Sequence, residues 1–458
     1  MSNMKIRNWS WAALASVALI GLPAAGCDHG NTVDNGPLST MTESEALAAR
    51  QACTFVAGDK AGKTLAKGSL LGDDIPIEHV VVLMLENRSF DHLFQKLPEF
   101  GQPDAEVAPA SYTNVGVDGN PVAAHHLDEY CFSDTNHEWD GSHEEYNDGK
   151  NDGFALANAR SSDPTGSRAT GYYTDQDLPV MYTLARDYAL SDRFFCSLLG
   201  PTFPNRAYFY AATSFGNTGN ELITEPVENL LESLERAQID WRVYYNDIPG
   251  MGVFITSAAN VISTRLSAYS RFRMDAEAGK LPSVAFVDPP LGPNMGAQRS
   301  DGHPPGNIQL MDAFIREVVE TITTSPNWKS TALFIFFDEH GGLYDHVPPP
   351  AACAPDEHSP NAPEKFDNFT RLGFRVPLIV VSPYAKRHFV SHVPLDHTSV
   401  TRFIEARFGL PAMTKRDANA TLPYDLFDFT KRNTKPVTLP AAALDPTKSA
   451  ACIAQFGE

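Results

Sequence analysis

Glu86, Asn87, Asp338 and Glu339 stand where two strongly apolar runs stop, "HVVVLMLEN" at 79–87 and "ALFIFFDE" at 332–339. Burying such groups without partners costs roughly 2 to 7 kcal/mol for an amide and more for a charge, so something must compensate them. A third run, "PSVAFVD" at 282–288, ends on Asp288. Oxygens converging from separate strands attract a cation. A cap on the element that follows explains any one of these acids, but three together point to a shared site.

The segment "LLGPTFPNRAYFYAATS" at 198–214 supplies a different chemistry. Thr202 is predicted as the N-cap of a helix with Pro204 in its first turn. A hydroxyl there faces free N–H groups and the positive end of the helix dipole, where a phosphate binds. A nearby cation would lower its pKa and make it a nucleophile. Asn205 and Arg206 offer further donors to phosphate oxygens. His137 lies in the polar stretch "TNHEWDGSHEEYNDGKNDGF" at 135–154, read as a loop, and suits contact with a charged substrate oxygen. His303 precedes two prolines in "RSDGHPPGNI" at 299–308, so a fixed imidazole there is suited to protonate a leaving alkoxide. A solvated turn explains His143 and Glu144 equally well. His340 and His346 rank behind His303, and His397 reads equally as a helix-end residue.

These groups need elements to hold them. Continuous apolar runs at 79–86, 282–290, 332–342 and 376–383 fit strands buried on both faces of a parallel sheet. Helical patterns at 307–325 and 397–409 lie between and beyond them, the second ending on Gly409 as a C-cap. Strands alternating with helices imply right-handed crossovers and an α/β sandwich, whose ligands bind beyond the carboxyl ends of the strands.

Composition bounds the rest. The 458 residues, 43% hydrophobic and 20% charged, are those of a globular chain, and a net charge of −20 excludes nucleic acid as a partner and disfavours adhesion to anionic lipid. Lys5 and Arg7, an apolar stretch from Trp9 to Leu22 and then "PAAGC" fit a secretory signal. The stretch is shorter than the ~20 residues of a spanning helix, so the mature protein is expected to be exported. Cleavage before Cys27 fits an ordinary signal or a lipid anchor; the sequence there is similar to bacterial lipoproteins, although Ala24 replaces the usual Leu. With Cys27 acylated, Cys53, Cys131, Cys196, Cys353 and Cys452 leave an odd number; without acylation three disulfides are possible. The expected organisation is a signal peptide at 1–26, an N-terminal tether at 27–74 with a short helix near 42–52, a catalytic domain at 75–410 and a Pro- and Ala-rich C-terminal extension at 411–458.

"HVVVLMLENRSFDHLF", "NHEWDGSHEEYNDGKNDGF", "DRFFCSLLGPTFPNRAYFYAATS", "DGHPP", "FFDEHGGLYDHVPPP" and "GFRVPLIVVSPYAK", in this order, resemble the bacterial phosphoesterase family of non-specific phospholipases C and acid phosphatases, across about 75–409. The resemblance implies an alkaline phosphatase-like sandwich in one large domain, with a mostly parallel central sheet flanked by helices. It implies that Glu86, Asn87, Asp338 and Glu339 hold a divalent metal ion, expected to be zinc, with Thr202 as the nucleophile bound to it. His137 and His303 would contact the phosphoryl group. The family uses serine in its acid phosphatases and threonine in its phospholipase C branch, so Thr202 implies a phospholipase C that cleaves phosphatidylcholine-like phosphodiesters through a phospho-threonine.

An acid phosphatase acting on monoesters at the same site is the nearest rival. A non-catalytic surface lipoprotein is the more distant one, opposed by the intact set of Glu86, Asn87, Thr202, Asp338 and Glu339. Two departures stand out: Gln95 replaces a usual Gly, and Gly302 replaces a usual acid, which puts a second metal at that loop in doubt. No twin arginine precedes the apolar stretch, so the chain is expected to cross the membrane unfolded, take its metal outside and reside in the periplasm or at the cell surface.

Overall fold

Beyond its histidine the first strand of the sheet, β1 (His79–Leu85), is apolar throughout, and those six residues are buried. Only a strand with neighbours on both edges and helices on both faces buries such a run. The computed structural model describes residues 33–254, 264–363 and 366–457. The expected signal peptide and the Cys27 anchor lie outside them.

The other sheet strands are β2 (Ala189–Ser191), β3 (Trp241–Tyr245), β4 (Leu266–Ala268), β5 (Val284–Val287), β6 (Thr331–Phe337), β7 (Leu378–Val381) and β8 (Phe389–Ser391), in the spatial order β8-β2-β7-β6-β1-β5-β3-β4. β1 pairs in parallel with both β5 and β6. β7 alone runs against its neighbours. The four apolar runs are all strands of this sheet, but the fourth is antiparallel.

Helices follow from the same patterning. In chain order they include α1 (Glu43–Gln51), α2 (Trp139–Tyr146), α3 (Pro179–Asp187), α4 (Thr202–Ala211), α5 (Ile308–Thr323), α6 (His397–Phe408) and α7 (Pro446–Phe456). Side chains alternate across a strand. Phe336 of β6 meets Phe209 of α4 and His397 of α6. Phe337, one residue on, faces the loop before α5 together with Met311 of that helix. The two helical layers therefore cover opposite faces, and α6 ends on Gly409 at φ 69°, as its sequence pattern predicts.

Two expectations are corrected. Residues 33–74 are not a tether: Thr42 caps α1 in a capping box, Ala46, Phe55, Ala61 and Leu65 are buried, and Cys53 is bonded to Cys353. Sparse apolar residues hid this packing, because a disulfide and Arg402, which donates to Asp59 O and Thr64 Oγ1, do much of the anchoring. Residues 139–146 are a helix rather than loop; its buried face carries Gly141, Ser142 and Glu145, which pattern reading takes for solvated groups. Among the described cysteines Cys131 also pairs with Cys452, and Cys196 is a free, buried thiol; the choice between a lipid anchor and a third disulfide rests on Cys27, which lies outside the described residues. No helix among the described residues is long and apolar enough to cross a membrane.

Candidate active site

Parallel pairing of β1 with β6 places Leu85 opposite Phe337, so the residues that follow both strands emerge side by side. Asn87 turns the chain out of β1 at φ 61°, a left-handed conformation that Asn tolerates better than most residues. Its backbone N–H donates to Asp338 Oδ1 at 3.1 Å. Glu339 Oε2 accepts from Gly341 N at 2.6 Å, while Glu339 Oε1 lies 2.7 Å from His137 Nδ1 and accepts no well-aligned hydrogen bond.

Thr202 is the first residue of α4 and not its cap; Pro201 holds that position, and no side chain caps the helix. The Thr202 hydroxyl donates to Asn87 Oδ1 at 3.4 Å. The structure thus brings Glu86, Asn87, Thr202, Asp338 and Glu339 together at the strand ends. His137 and His303 stand beside them with ring centroids 5.8 Å apart. Asp134 Oδ2 lies 3.3 Å from His137 Nε2 and 3.8 Å from His303 Nε2.

Asn205 does not join them. Its Nδ2 donates to the carbonyls of Gly200 and Pro201, and its Oδ1 accepts from Ser197 N and Leu198 N. An amide so occupied has no atom free for a phosphate; it shapes the loop that delivers Thr202. Arg206 also departs from expectation, because its Nε donates to Asp338 Oδ2 at 3.0 Å and its Nη2 to Glu86 Oε1 at 3.1 Å. His340 pairs with Glu145 at 2.6 Å, and His397 binds Phe337 O and Ser197 Oγ, both as structural groups. His143 stacks on Phe366 rather than standing in water, while Glu144 is exposed.

Sequence reasoning missed Arg299, whose Nη2 donates to Glu86 Oε2 at 2.9 Å and also to Asp301. It passed over Asp134 as well, although a carboxylate three residues before His137 was a legible signal. Gly302 has a steric reason: its φ is 104°, and a Cβ there would stand 2.7 Å from Glu86 O. The acid usual at this position has no room here.

The electrostatics test whether a cation fits. Glu86, Asp288, Asp301, Asp338 and Glu339 are five buried carboxylates, faced by the guanidiniums of Arg206 and Arg299 and the imidazole of His137. Burial, helped by Glu86 and Glu339, pushes Asp338 well above the usual carboxylate range despite Arg206. Burial likewise raises Asp288 to about 6 and, with Glu86, raises Asp301 to about 7. Burial also works against Glu339, but His137 and His340 outweigh it and keep it ionised. His137 is raised, since Glu339 and Asp134 overcome its burial, whereas burial dominates at His303 and lowers it. Asp338, buried and crowded by Glu86 and Glu339 until it resists ionising, is a donor that a divalent ion beside these oxygens satisfies. Glu86, Asn87, Asp338 and Glu339 therefore fit a metal ion.

A cavity of about 330 Å³ opens over these groups, with Glu86, Thr202, Arg206, Arg299 and His303 on its polar side and Phe203, Leu222, Ile248, Pro249 and Leu291 as apolar walls. A larger hollow of about 510 Å³, beside the Cys53–Cys353 disulfide, shares none of these residues.

Residues 77–411 match the profile of the Phosphoesterase family. The chain belongs to that family. It is 31% identical to non-specific phospholipase C1 of Arabidopsis thaliana over 369 residues, covering 75% of this chain and 69% of that protein. It is also 31% identical to phospholipase C B of Mycobacterium tuberculosis over 439 residues, covering 82% of each. Among solved structures it is similar to a protein in the alkaline phosphatase superfamily from Vibrio parahaemolyticus, at 10% identity and a TM-score of 0.37 over 91% of this chain and 95% of that chain. This member of the Phosphoesterase family is a phosphoric ester hydrolase.

Proposed function

We propose that the protein is a metal-dependent phospholipase C that cleaves phosphatidylcholine-like phosphodiesters through a phospho-threonine at Thr202. The observation that carries this reading is the cavity in which a hydroxyl at a helix start lies on the polar side and apolar walls rise opposite. A diester with an apolar alcohol fills both sides of it. A phosphomonoester leaves the apolar side unused.

A divalent ion held by Glu86, Asn87, Asp338 and Glu339 would supply Lewis-acid stabilisation of charge at the phosphoryl group and lower the pKa of the hydroxyl beside it. Thr202 Oγ1 attacks phosphorus in line with the leaving glycerol oxygen. His303 donates Nδ1–H to Pro304 O, so its Nε2 carries the lone pair. That nitrogen takes up a proton and delivers it to the glycerol oxygen, on the side of phosphorus opposite Thr202, whose own proton goes to solvent as it ionises, so diacylglycerol leaves as the alcohol. In the second step water enters where the glycerol left, gives its proton to the now neutral nitrogen and attacks phosphorus, and Thr202 Oγ1 takes a proton from solvent as phosphocholine departs. His137, kept cationic by Glu339 and Asp134, balances charge on the phosphoryl oxygens. Catalysis is mostly positioning and electrostatics.

The reading includes export, with Cys27 as a lipid anchor at the periplasmic or cell surface. Two disulfides support an oxidising compartment. The test is hydrolysis of a soluble phosphocholine diester and of a monoester by wild type and by Thr202→Ala. Preference for the diester in wild type, and loss of at least ~10³-fold of turnover in a folded variant, are expected. Turnover retained by Thr202→Ala, or monoester preference in wild type, overturns it.

A further inference from the structure

Residues 412–458 extend past the family match at 77–411, yet their last helix is tied to both loops that carry the site's histidines. Cys452 of α7 is bonded to Cys131, in the segment leading to His137. On the other loop, Ala297 N donates to Gly457 O at 3.0 Å, and Asn307 Nδ2 donates to Ser449 Oγ at 3.0 Å. Asn307 N donates to Ala297 O at 3.1 Å, so the stretch that contains His303 is closed at its base against the end of α7. Ile308 N donates to Tyr130 O at 2.9 Å and joins the two loops directly.

The other ties of α7 are exposed or half-buried polar contacts: Lys448 Nζ donates to Asp128 O at 2.6 Å and to Asp128 Oδ1 at 2.7 Å, and Asp445 N donates to Gln309 Oε1 at 2.9 Å. Cys452 is its only buried residue, and the small apolar cluster it enters contains Cys131 and Ala297, with Ile453 and Phe456 against it. A helix of eleven residues is marginal on its own, so its position depends on the covalent link.

Resting on the phosphodiesterase reading above, we propose that α7 is a disulfide-fastened brace that sets the separation of His137 and His303, and that hydrolysis therefore depends on the Cys131–Cys452 bond. Forming the bond removes two thiol protons and two electrons, which reduce a disulfide donor to its two thiols; a dithiol reductant reverses the exchange. The enzyme is then assembled for catalysis only where thiols are oxidised. Cys53–Cys353 lies apart from both loops and serves as the control.

The experiment uses the full chain carrying Cys53→Ser and Cys353→Ser, in which Cys131–Cys452 is the remaining disulfide. Dithiothreitol is added below the unfolding temperature, bond cleavage is followed by thiol titration, and hydrolysis of a soluble phosphocholine ester is measured. The oxidised protein should match wild type. Reduction should lower kcat about tenfold or more with KM nearly unchanged, and reoxidation should restore it, because small misplacements of catalytic groups cost rate rather than ground-state binding. Cys131→Ser with Cys452→Ser should show the same low kcat, insensitive to reductant. An unchanged kcat after confirmed cleavage, or a rise in KM alone, overturns the brace while leaving the phosphodiesterase reading intact. Oxidised wild type inert toward phosphodiesters overturns both.

Discussion

The segments 86–91 and 338–346 build two buried acidic clusters, and only one of them is left short of positive charge. In the first, Arg206 pairs with Glu86 and Asp338, Arg299 with Glu86 and Asp301, and His137 with Glu339, three cations facing five carboxylates once Asp288 is included, and a cavity opens over them. In the second, Asp91 and Asp345 close around Arg375, whose Nη2 donates to Asp91 at 3.0 Å and whose Nε donates to Asp345 at 2.8 Å. Backbone N–H groups of Ala108, His346 and Val347 complete the acceptors. Burial opposes ionisation at Asp91, but Arg375 and His346 hold it below the usual range; Asp345 is raised, by burial and by Asp91 itself. Carboxylate count alone thus does not mark a metal site. One cluster carries its cation as a side chain, and the other needs one from outside.

The comparison breaks most visibly through activity. Asp338→Asn should lower kcat at least ~10³-fold, yet leave the thermal midpoint of metal-free protein unchanged or higher, because the carboxyl that burial and its acidic neighbours push well above the usual range becomes a neutral amide. A lower midpoint measured by calorimetry would mean that the cluster is already compensated. Arg375→Met should do the reverse, costing about 3 to 5 kcal/mol in urea unfolding by stranding two buried carboxylates while the folded fraction keeps its turnover.

A smaller effect comes from pH. Asp288 at about 6 and Asp301 at about 7 lie above their unfolded values, so between roughly pH 4 and 7 the folded state binds more protons than the unfolded state. Their contribution is therefore full in acid and is lost as pH rises through 6 and 7. Metal-free protein should be less stable at pH 8 than at pH 5 by on the order of 3 kcal/mol from these two groups, and a divalent cation should flatten the slope. Equal unfolding midpoints at the two pH values without metal would count against the crowding.

Much of this was legible in the sequence where one residue type decides one outcome. β1 and β6 could be read because strands buried on both faces need unbroken apolar runs, and their abrupt polar ends located Glu86, Asn87, Asp338 and Glu339. Gly409 could be read because a left-handed C-cap favours glycine. What stayed hidden depends on partners far along the chain. Asn205 serves a loop that only the fold brings into hydrogen-bonding reach, and Arg206 and Arg299 turned out to neutralise carboxylates instead of waiting for phosphate. The direction of β7 and the pairing of Cys131 with Cys452 carry no local signal. α2 was concealed because its core-facing glutamate finds His340 nearly two hundred residues away.

The most direct test is the metal content of the purified protein beside Asp338→Asn and Asp345→Asn, by mass spectrometry after dialysis against a weak chelator. The account expects about one divalent ion per chain in wild type and in Asp345→Asn, and its loss in Asp338→Asn. An ion retained by Asp338→Asn, or lost from Asp345→Asn alone, would contradict it.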